Sequence, residues 1–326
     1  MKALVYTGRM RMACQQVADP VPPPGHALVA VEAVGICGSD MHAWRGHDPR
    51  RPPPLILGHE AAGRVRGGAL DGRRVTVNPL VTNPLSPAST EGRENLCPDR
   101  QIISMPPREG AFAELLAIPV ENLVEVPDHV DMPRAALAEP LAVCWHAARL
   151  GQGRLHGNPG TARCLVQGGG AIGLGSALSL RALGAGDIAV AEPNPLRHAA
   201  LQREGLDVLS PESATGPYDL IIDAAGYGTT RRAACAAVAP GGVLVHVGLG
   251  DAAGGLDIRR MTLQEITFIG TYCYTREDFH AAAAGIFDGR FGDLAWMEHR
   301  ALADGGQAFR DIHHGTVAAP KIILHP

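Results

Sequence analysis

Up to about residue 140 the apolar positions come in short runs broken by glycine and proline. Residues 27–33, 63–65, 74–77 and 123–126 predict short β-strands, bounded by PVPPPG, RRPPP and VPDHVD. Few long helical patterns occur there. The pattern then changes. Residues 162–167 (ARCLVQ) predict a buried strand, followed by GGGAIG and a helical stretch at 174–182. Further strands are predicted at 187–191, 219–224 and 243–247, with Ala-rich helical connections between them. Strands alternating with helices predict parallel βαβ units and a doubly wound α/β sheet. Beyond residue 269 the pattern is mixed again and ends in KIILHP, a last strand. The expected division is a Rossmann-type domain at 141–270, with 1–140 and 271–326 together forming a β-rich second domain.

Composition narrows the class. The chain has 326 residues, enough for about two domains, and 46% of them are apolar, enough to order a core. Its 29 Lys and Arg against 33 Asp and Glu leave a net charge of −4. There is no global basic field and no basic stripe with aromatics, so nucleic acid is not an expected partner. No run of about 18 uninterrupted apolar residues predicts a membrane span. The opening MKALVYTGRM lacks the apolar core and cleavage site of a secretory signal. Seven scattered cysteines argue against a disulfide framework. The expected location is the cytoplasm. Cys14, Cys144, Cys164 and Cys235 read as small core residues.

Gly168, Gly170 and Gly173 form G-x-G-x-x-G directly after a predicted strand and before a helix, and Ala171 and Ile172 within the motif are cofactor-binding candidates with the glycines. The first glycine permits a tight turn, the second admits a pyrophosphate, and the third lets helix pack on strand. Free N–H groups at a helix start attract phosphate. Glu192 ends the next strand, nineteen residues beyond Gly173, where an acid binds the adenosine ribose diol. That acid repels a 2′-phosphate, and no Arg or Lys follows within four residues, so NAD is favoured over NADP.

GICGSDMHAWRG carries Cys37, Ser39, Asp40 and His42; ILGHEAAGRV carries His59 and Glu60; LAEPLAV carries Glu139. Thiolate, imidazole and carboxylate together make a zinc ligand set. Each residue alone reads sooner as a buried structural Cys or a satisfied core His, and the three segments lie too far apart for spacing alone to make a strong motif.

Together, GICGSDMH, GHEAAGRV, AEPLAV, GGGAIG and the following acid resemble the zinc-dependent medium-chain dehydrogenase/reductase family over nearly the whole chain. Within it the chain is most similar to the sorbitol, threonine and sugar-alcohol-phosphate dehydrogenases. The resemblance implies a chaperonin-10-like catalytic domain beside the Rossmann domain, an active site in the cleft between them, and a homodimer or homotetramer. It implies NAD, one catalytic zinc, and a polyol or secondary alcohol as substrate. Cys37 and His59 become zinc ligands, with Glu60 and Glu139 alternatives for completing the shell. Ser39 takes the substrate's proton, His42 passes it toward solvent, and Asp40 holds a ligand histidine. Arg197 is matched to a residue that binds the adenosine ribose, and Lys321 to one that reaches the pyrophosphate. A zinc-free or non-catalytic member has no need of that ligand set.

The family's structural zinc uses C-x2-C-x2-C-x7-C. The aligned positions here are Asn83, Ser86, Ser89 and Cys97, so no structural zinc is expected. Trp44 either walls the substrate pocket or packs as an ordinary half-buried residue. Tyr272 and Tyr274 are pocket or core residues, and Cys273 replaces an Arg common in polyol dehydrogenases. Arg45, His47, Arg50 and Arg51 form a basic cluster that either meets a substrate anion or is a solvated loop. His313 and His314 read as a surface pair.

Overall fold

The structure, a computed structural model, describes residues 1–326. The chain divides into two compact units. One comprises Met1–Pro140, Thr275–Gly289 and Asp293–Pro326, and the other Leu141–Tyr274 and Arg290–Gly292. No helix is long and apolar enough to cross a membrane.

The first unit is built on the strand His26–Gly35. Ala27, Val29, Val31 and Ala33 are buried in alternation, as a strand with one face on the core requires. The sheet runs in the order Leu123–Glu125, Arg74–Val77, Glu60–Arg66, His26–Gly35, Lys321–His325, Met297–Ala301, and Leu115–Pro119 also pairs with His26–Gly35. The C-terminal strand is thus inserted beside the strand that leads to Cys37. Gly63 pairs with Val31, and a Cβ there would lie 2.0 Å from the Ala30 carbonyl oxygen, so only glycine allows this approach. A smaller antiparallel sheet joins Arg11–Gln16, Lys2–Gly8 and Leu55–Ile56. Cys14 lies exposed on its outer strand and is not a core residue, whereas Met12 of the same strand packs against the core. Cys144, Cys164 and Cys235 are buried.

Trp44 does not wall a pocket. It is 1% exposed and packs against Phe309, ring centroids 5.8 Å apart, and edge-on against His313 at 5.6 Å. An indole buries too much apolar area to be left at a wet surface when a core is adjacent. That contact also ties His313 to the core edge.

The second unit is a six-stranded parallel sheet in the order Asp207–Leu209, Asp187–Ala191, Arg163–Gln167, Tyr218–Asp223, Val238–His246, Thr267–Gly270. In chain order this is 3-2-1-4-5-6, the doubly wound arrangement, with its switch point between Arg163–Gln167 and Tyr218–Asp223. The two strands at the switch are uninterrupted apolar runs, Cys164–Leu165–Val166 and Leu220–Ile221–Ile222, all at most 1% exposed. Strands covered on both faces read this way. Helices Ala171–Ala182, Pro195–Arg203 and Gly228–Ala237 connect them. Tyr274 is 1% exposed and belongs to the core, whereas Tyr272 is half-buried.

Candidate metal centre and dinucleotide cradle

Cys37 ends the chain's exit from the strand His26–Gly35 and stands at the N-cap of the short helix Gly38–Trp44. Its backbone N–H donates to Asp40 Oδ2 at 3.0 Å, which fixes the turn. Glu60 opens the neighbouring antiparallel strand and pairs with Gly35. A Cβ on Gly35 would lie 1.9 Å from Glu60 Oε2, so the glycine makes the space in which that carboxylate sits. These two strand ends bring Cys37, His59 and Glu60 together with donor atoms within 4.8 Å of one another. Cys37 is half-buried, and the other two are buried.

Asp40 is fully buried. Its Oδ1 lies 3.5 Å from His59 Nδ1 and accepts the Gly58 N–H at 3.2 Å. Burial alone would raise the Asp40 carboxyl, but His59 and Arg51 beside it hold it below the usual carboxylate range. With Nδ1 so engaged, Nε2 is the nitrogen left for a metal. Burial would depress the His59 imidazole, but Asp40 and Cys37 outweigh it and raise it well above its ordinary value.

Lys321 departs from expectation. The residue is 4% exposed, and its ammonium lies 2.6 and 2.7 Å from Glu60 Oε1 and Oε2 and 3.0 Å from the Ile36 carbonyl oxygen. An ammonium has three N–H donors, and all are taken, so Lys321 belongs to the metal corner and not to a pyrophosphate contact. Burial would lower its pKa, yet Glu60, Cys37 and Glu139 raise it. Glu139 stands outside the three-residue cluster but is buried and close enough for its charge to be felt at Lys321. The donor set itself suits zinc: one sulfur, one imidazole, and a carboxylate whose charge Lys321 offsets.

Ser39 Oγ is buried with no hydrogen-bond partner, an orphaned hydroxyl beside the cluster's Cys37. His42 follows one turn later on the same face of the helix. Its ring lies edge-on to His47, centroids 6.0 Å apart. The basic cluster that follows is neither an open anion site nor a solvated loop throughout. Arg50 is tied to Asp48, and Arg51 is 3% exposed, with its guanidinium on the carbonyls of Ser104 and Ser39.

In the second unit Gly168 takes a positive φ of 96° after the strand Arg163–Gln167. A Cβ on Gly173 would lie 1.6 Å from the Gly168 carbonyl oxygen, so helix and turn touch through bare backbone. The helix starts at Ala171 and Ile172 with Gly170 at its N-cap and no side chain capping it, which leaves its first N–H groups available to an anion. Glu192 is 2% exposed and accepts the Gly169 N–H at 2.6 Å and the Asn194 N–H at 2.7 Å. Arg197 lies 3.5 Å from the same carboxylate, and its Nε is buried without a partner. A carboxylate offers about four acceptor sites, so Glu192 organises the turn and still has lone pairs for a diol.

The four positions aligned with a structural metal are joined to one another. Ser86 Oγ lies 2.9 Å from Ser89 Oγ, and Ser89 Oγ donates to the Asn83 carbonyl at 2.6 Å. Hydrogen bonds from Ser86 and from the Asn83 backbone reach buried Cys97 and lower its thiol pKa.

Residues 23–128 match the family described as alcohol dehydrogenase GroES-like domain, and residues 171–288 the one described as zinc-binding dehydrogenase. The chain is 32% identical to the L-galactonate-5-dehydrogenase of Escherichia coli strain K12, over 92% of this chain and 91% of that protein. It is 36% identical to the sorbitol dehydrogenase of Bacillus subtilis strain 168, over 71% and 70%. The crystal structure of L-idonate 5-dehydrogenase from Escherichia coli K-12 MG1655 aligns with a TM-score of 0.86 at 25% identity, covering 100% of this chain and 98% of that one.

Proposed function

This chain belongs to the zinc-dependent medium-chain alcohol and polyol dehydrogenase family, and from that premise we propose that it oxidises a secondary hydroxyl of a polyol with NAD at a single zinc. The observation that carries this reading is the cluster of half-buried Cys37 with buried His59 and Glu60, beside the orphaned Ser39 hydroxyl. When bound, zinc supplies Lewis acidity that makes a hydroxyl easier to deprotonate, and NAD accepts the hydride.

The chain's own residues do the rest. Cys37, His59 and Glu60 hold the metal, and Glu139 is the nearby alternative to Glu60. Asp40 keeps His59 in the tautomer that leaves Nε2 free. Lys321 offsets the Glu60 charge, so the corner is not left with surplus negative charge. Ser39 accepts the hydroxyl proton as it releases its own toward His42. Gly168, Gly170 and Gly173 with the first turn of the helix Ala171–Ala182 seat the pyrophosphate. Glu192, with Arg197 beside it, takes the adenosine ribose and excludes a 2′-phosphate. Hydrogen bonds among Asn83, Ser86, Ser89 and Cys97 do in their lobe what a structural metal does elsewhere in the family.

Polyhydroxylated chains are the substrate class nearest to hand, since the L-galactonate and sorbitol enzymes are the relatives described above. The test is nicotinamide reduction across sorbitol, xylitol, galactitol, galactitol phosphate, aldonates, threonine, butanediol and simple secondary alcohols, each with NAD and NADP. Turnover of a polyol or aldonate with NAD is expected. Cys37→Ala should lose that turnover while NAD still binds; activity retained in that variant removes the metal from the mechanism.

A further inference from the structure

Two buried residues outside the family motifs converge on this corner. His59 Nδ1 has a closer partner than Asp40: Ser104 Oγ, at 3.3 Å. Ser104 is fully buried, lies 45 residues away in the chain, and adopts a positive φ of 70°. Serine pays a steric penalty in that conformation which glycine does not. Such a residue persists where its surroundings over-determine it, and two contacts do so here. Its side chain meets His59, and its carbonyl accepts the Arg51 Nε–H at 3.0 Å. Arg51 Nη1 donates in turn to the Ser39 carbonyl at 3.0 Å and to Asp48 Oδ2 at 3.3 Å. One planar guanidinium therefore ties its own loop, braced by Asp48, to the helix that carries the relay serine and to the loop that buttresses the ligand histidine.

We propose that Ser104 and Arg51 are positioning residues of the metal centre: Ser104 shares the His59 Nδ1–H with Asp40, and Arg51 sets the Ser104 loop against the helix that carries Ser39. This deepens the zinc reading above and rests on it. An imidazole that ligates through one nitrogen is aimed by the hydrogen bond on the other, and loss of such a partner costs roughly 10–100-fold in metal affinity or activity. Here the aiming contact is divided between a carboxylate and a hydroxyl. Arg51 acts at one remove, by holding the Ser104 and Ser39 carbonyls at 3.0 Å each. Its fork geometry matters as much as its charge, since a lysine ammonium cannot hold two carbonyls in one plane.

The experiment measures zinc affinity by competition with a chromophoric chelator, and the visible spectrum of the cobalt(II)-substituted protein, in the full-length chain. Ser104→Gly relieves the backbone strain while removing the hydroxyl, so folding is protected; the melting temperature checks this. Zinc affinity should fall about tenfold and the cobalt bands should shift, with the KM for NAD unchanged. Ser104→Asn, whose short polar side chain tolerates a positive φ, should recover part of the loss. Arg51→Lys should lower kcat several-fold with a smaller change in zinc affinity. Wild-type zinc affinity and an unshifted cobalt spectrum in Ser104→Gly overturn the proposal while leaving the zinc reading in place. A wild-type chain that binds no zinc overturns the zinc reading, and this inference with it.

Discussion

Lys321 and Glu60 bury opposite charges at 3% and 0% side-chain exposure, and each is the other's remedy. Removing one partner of a buried pair leaves an uncompensated charge, which costs about 3–5 kcal/mol. Lys321→Met should therefore destabilise the chelator-treated protein by that amount in denaturant titrations, and less once zinc is present to face Glu60. A variant of wild-type stability with a raised KM for NAD would instead restore the pyrophosphate role. Glu192 accepts one charged hydrogen bond from Gly169 in the glycine-rich turn and another from Asn194 in the turn after its own strand, each of about 1.5–3 kcal/mol. Glu192→Ala should raise the KM for NAD on the order of tenfold or more and narrow the preference over NADP, as steady-state kinetics with both cofactors would read. At this scale the sequence was informative where chemistry is local. Cys37, Ser39, Asp40 and His42 stand within six positions, and His59 and Glu60 are adjacent. Ser104 was illegible, since it reaches His59 across 45 residues through a left-handed turn that serine does not announce. Arg51 read as part of a basic cluster because PRRPPP has no apolar periodicity; only its meeting with the helix Gly38–Trp44 and the Ser104 loop buries it.

Strands and helices differ in how openly they declare themselves. The central strands of both sheets were legible as alternation or as unbroken apolar runs. Residues 74–77 and 187–191 coincide with the observed strands Arg74–Val77 and Asp187–Ala191. The outer strands were not. Arg11–Gln16 and Met297–Ala301 bury little, so nothing in RMACQQ or MEHRA alternates. The first turn of the helix Ala171–Ala182 was also missed, because its glycines argue for a turn until the strand before them is seen to need a partner. That turn carries the element-level prediction. Gly173→Ala would drive a methyl to within 1.6 Å of the Gly168 carbonyl oxygen, and overpacking of this kind costs about 1–3 kcal/mol or more. Helix and turn must then separate, so NADH fluorescence titration should show a large loss of affinity with zinc content unchanged. Wild-type NADH affinity in that variant would mean that the helix start does not contact the cofactor.

The molecule as a whole carries a small negative charge, and its acid sensitivity belongs to a few paired carboxylates. Hydrogen bonds from Arg300 and Gln307 hold Asp311 below its ordinary value. Burial would raise Asp48, but Arg50 pulls it down. A carboxylate lowered in the folded state stabilises it at neutral pH, and that stability disappears as pH falls through the folded-state value. Asp311→Asn should lower stability at neutral and alkaline pH and flatten the acid limb of the stability–pH curve, so that variant and wild type converge at low pH. Zinc carries more weight than any of these charges, because every functional role assigned to the first unit leads back to it. Elemental analysis of the purified full-length chain, with Cys37→Ala and Cys97→Ala alongside, therefore tests the central claim most directly. One zinc per chain is expected, absent from Cys37→Ala and retained in Cys97→Ala. No zinc in the wild type would contradict a metal-dependent dehydrogenase, and two would mean that the Asn83–Cys97 lobe holds a metal after all.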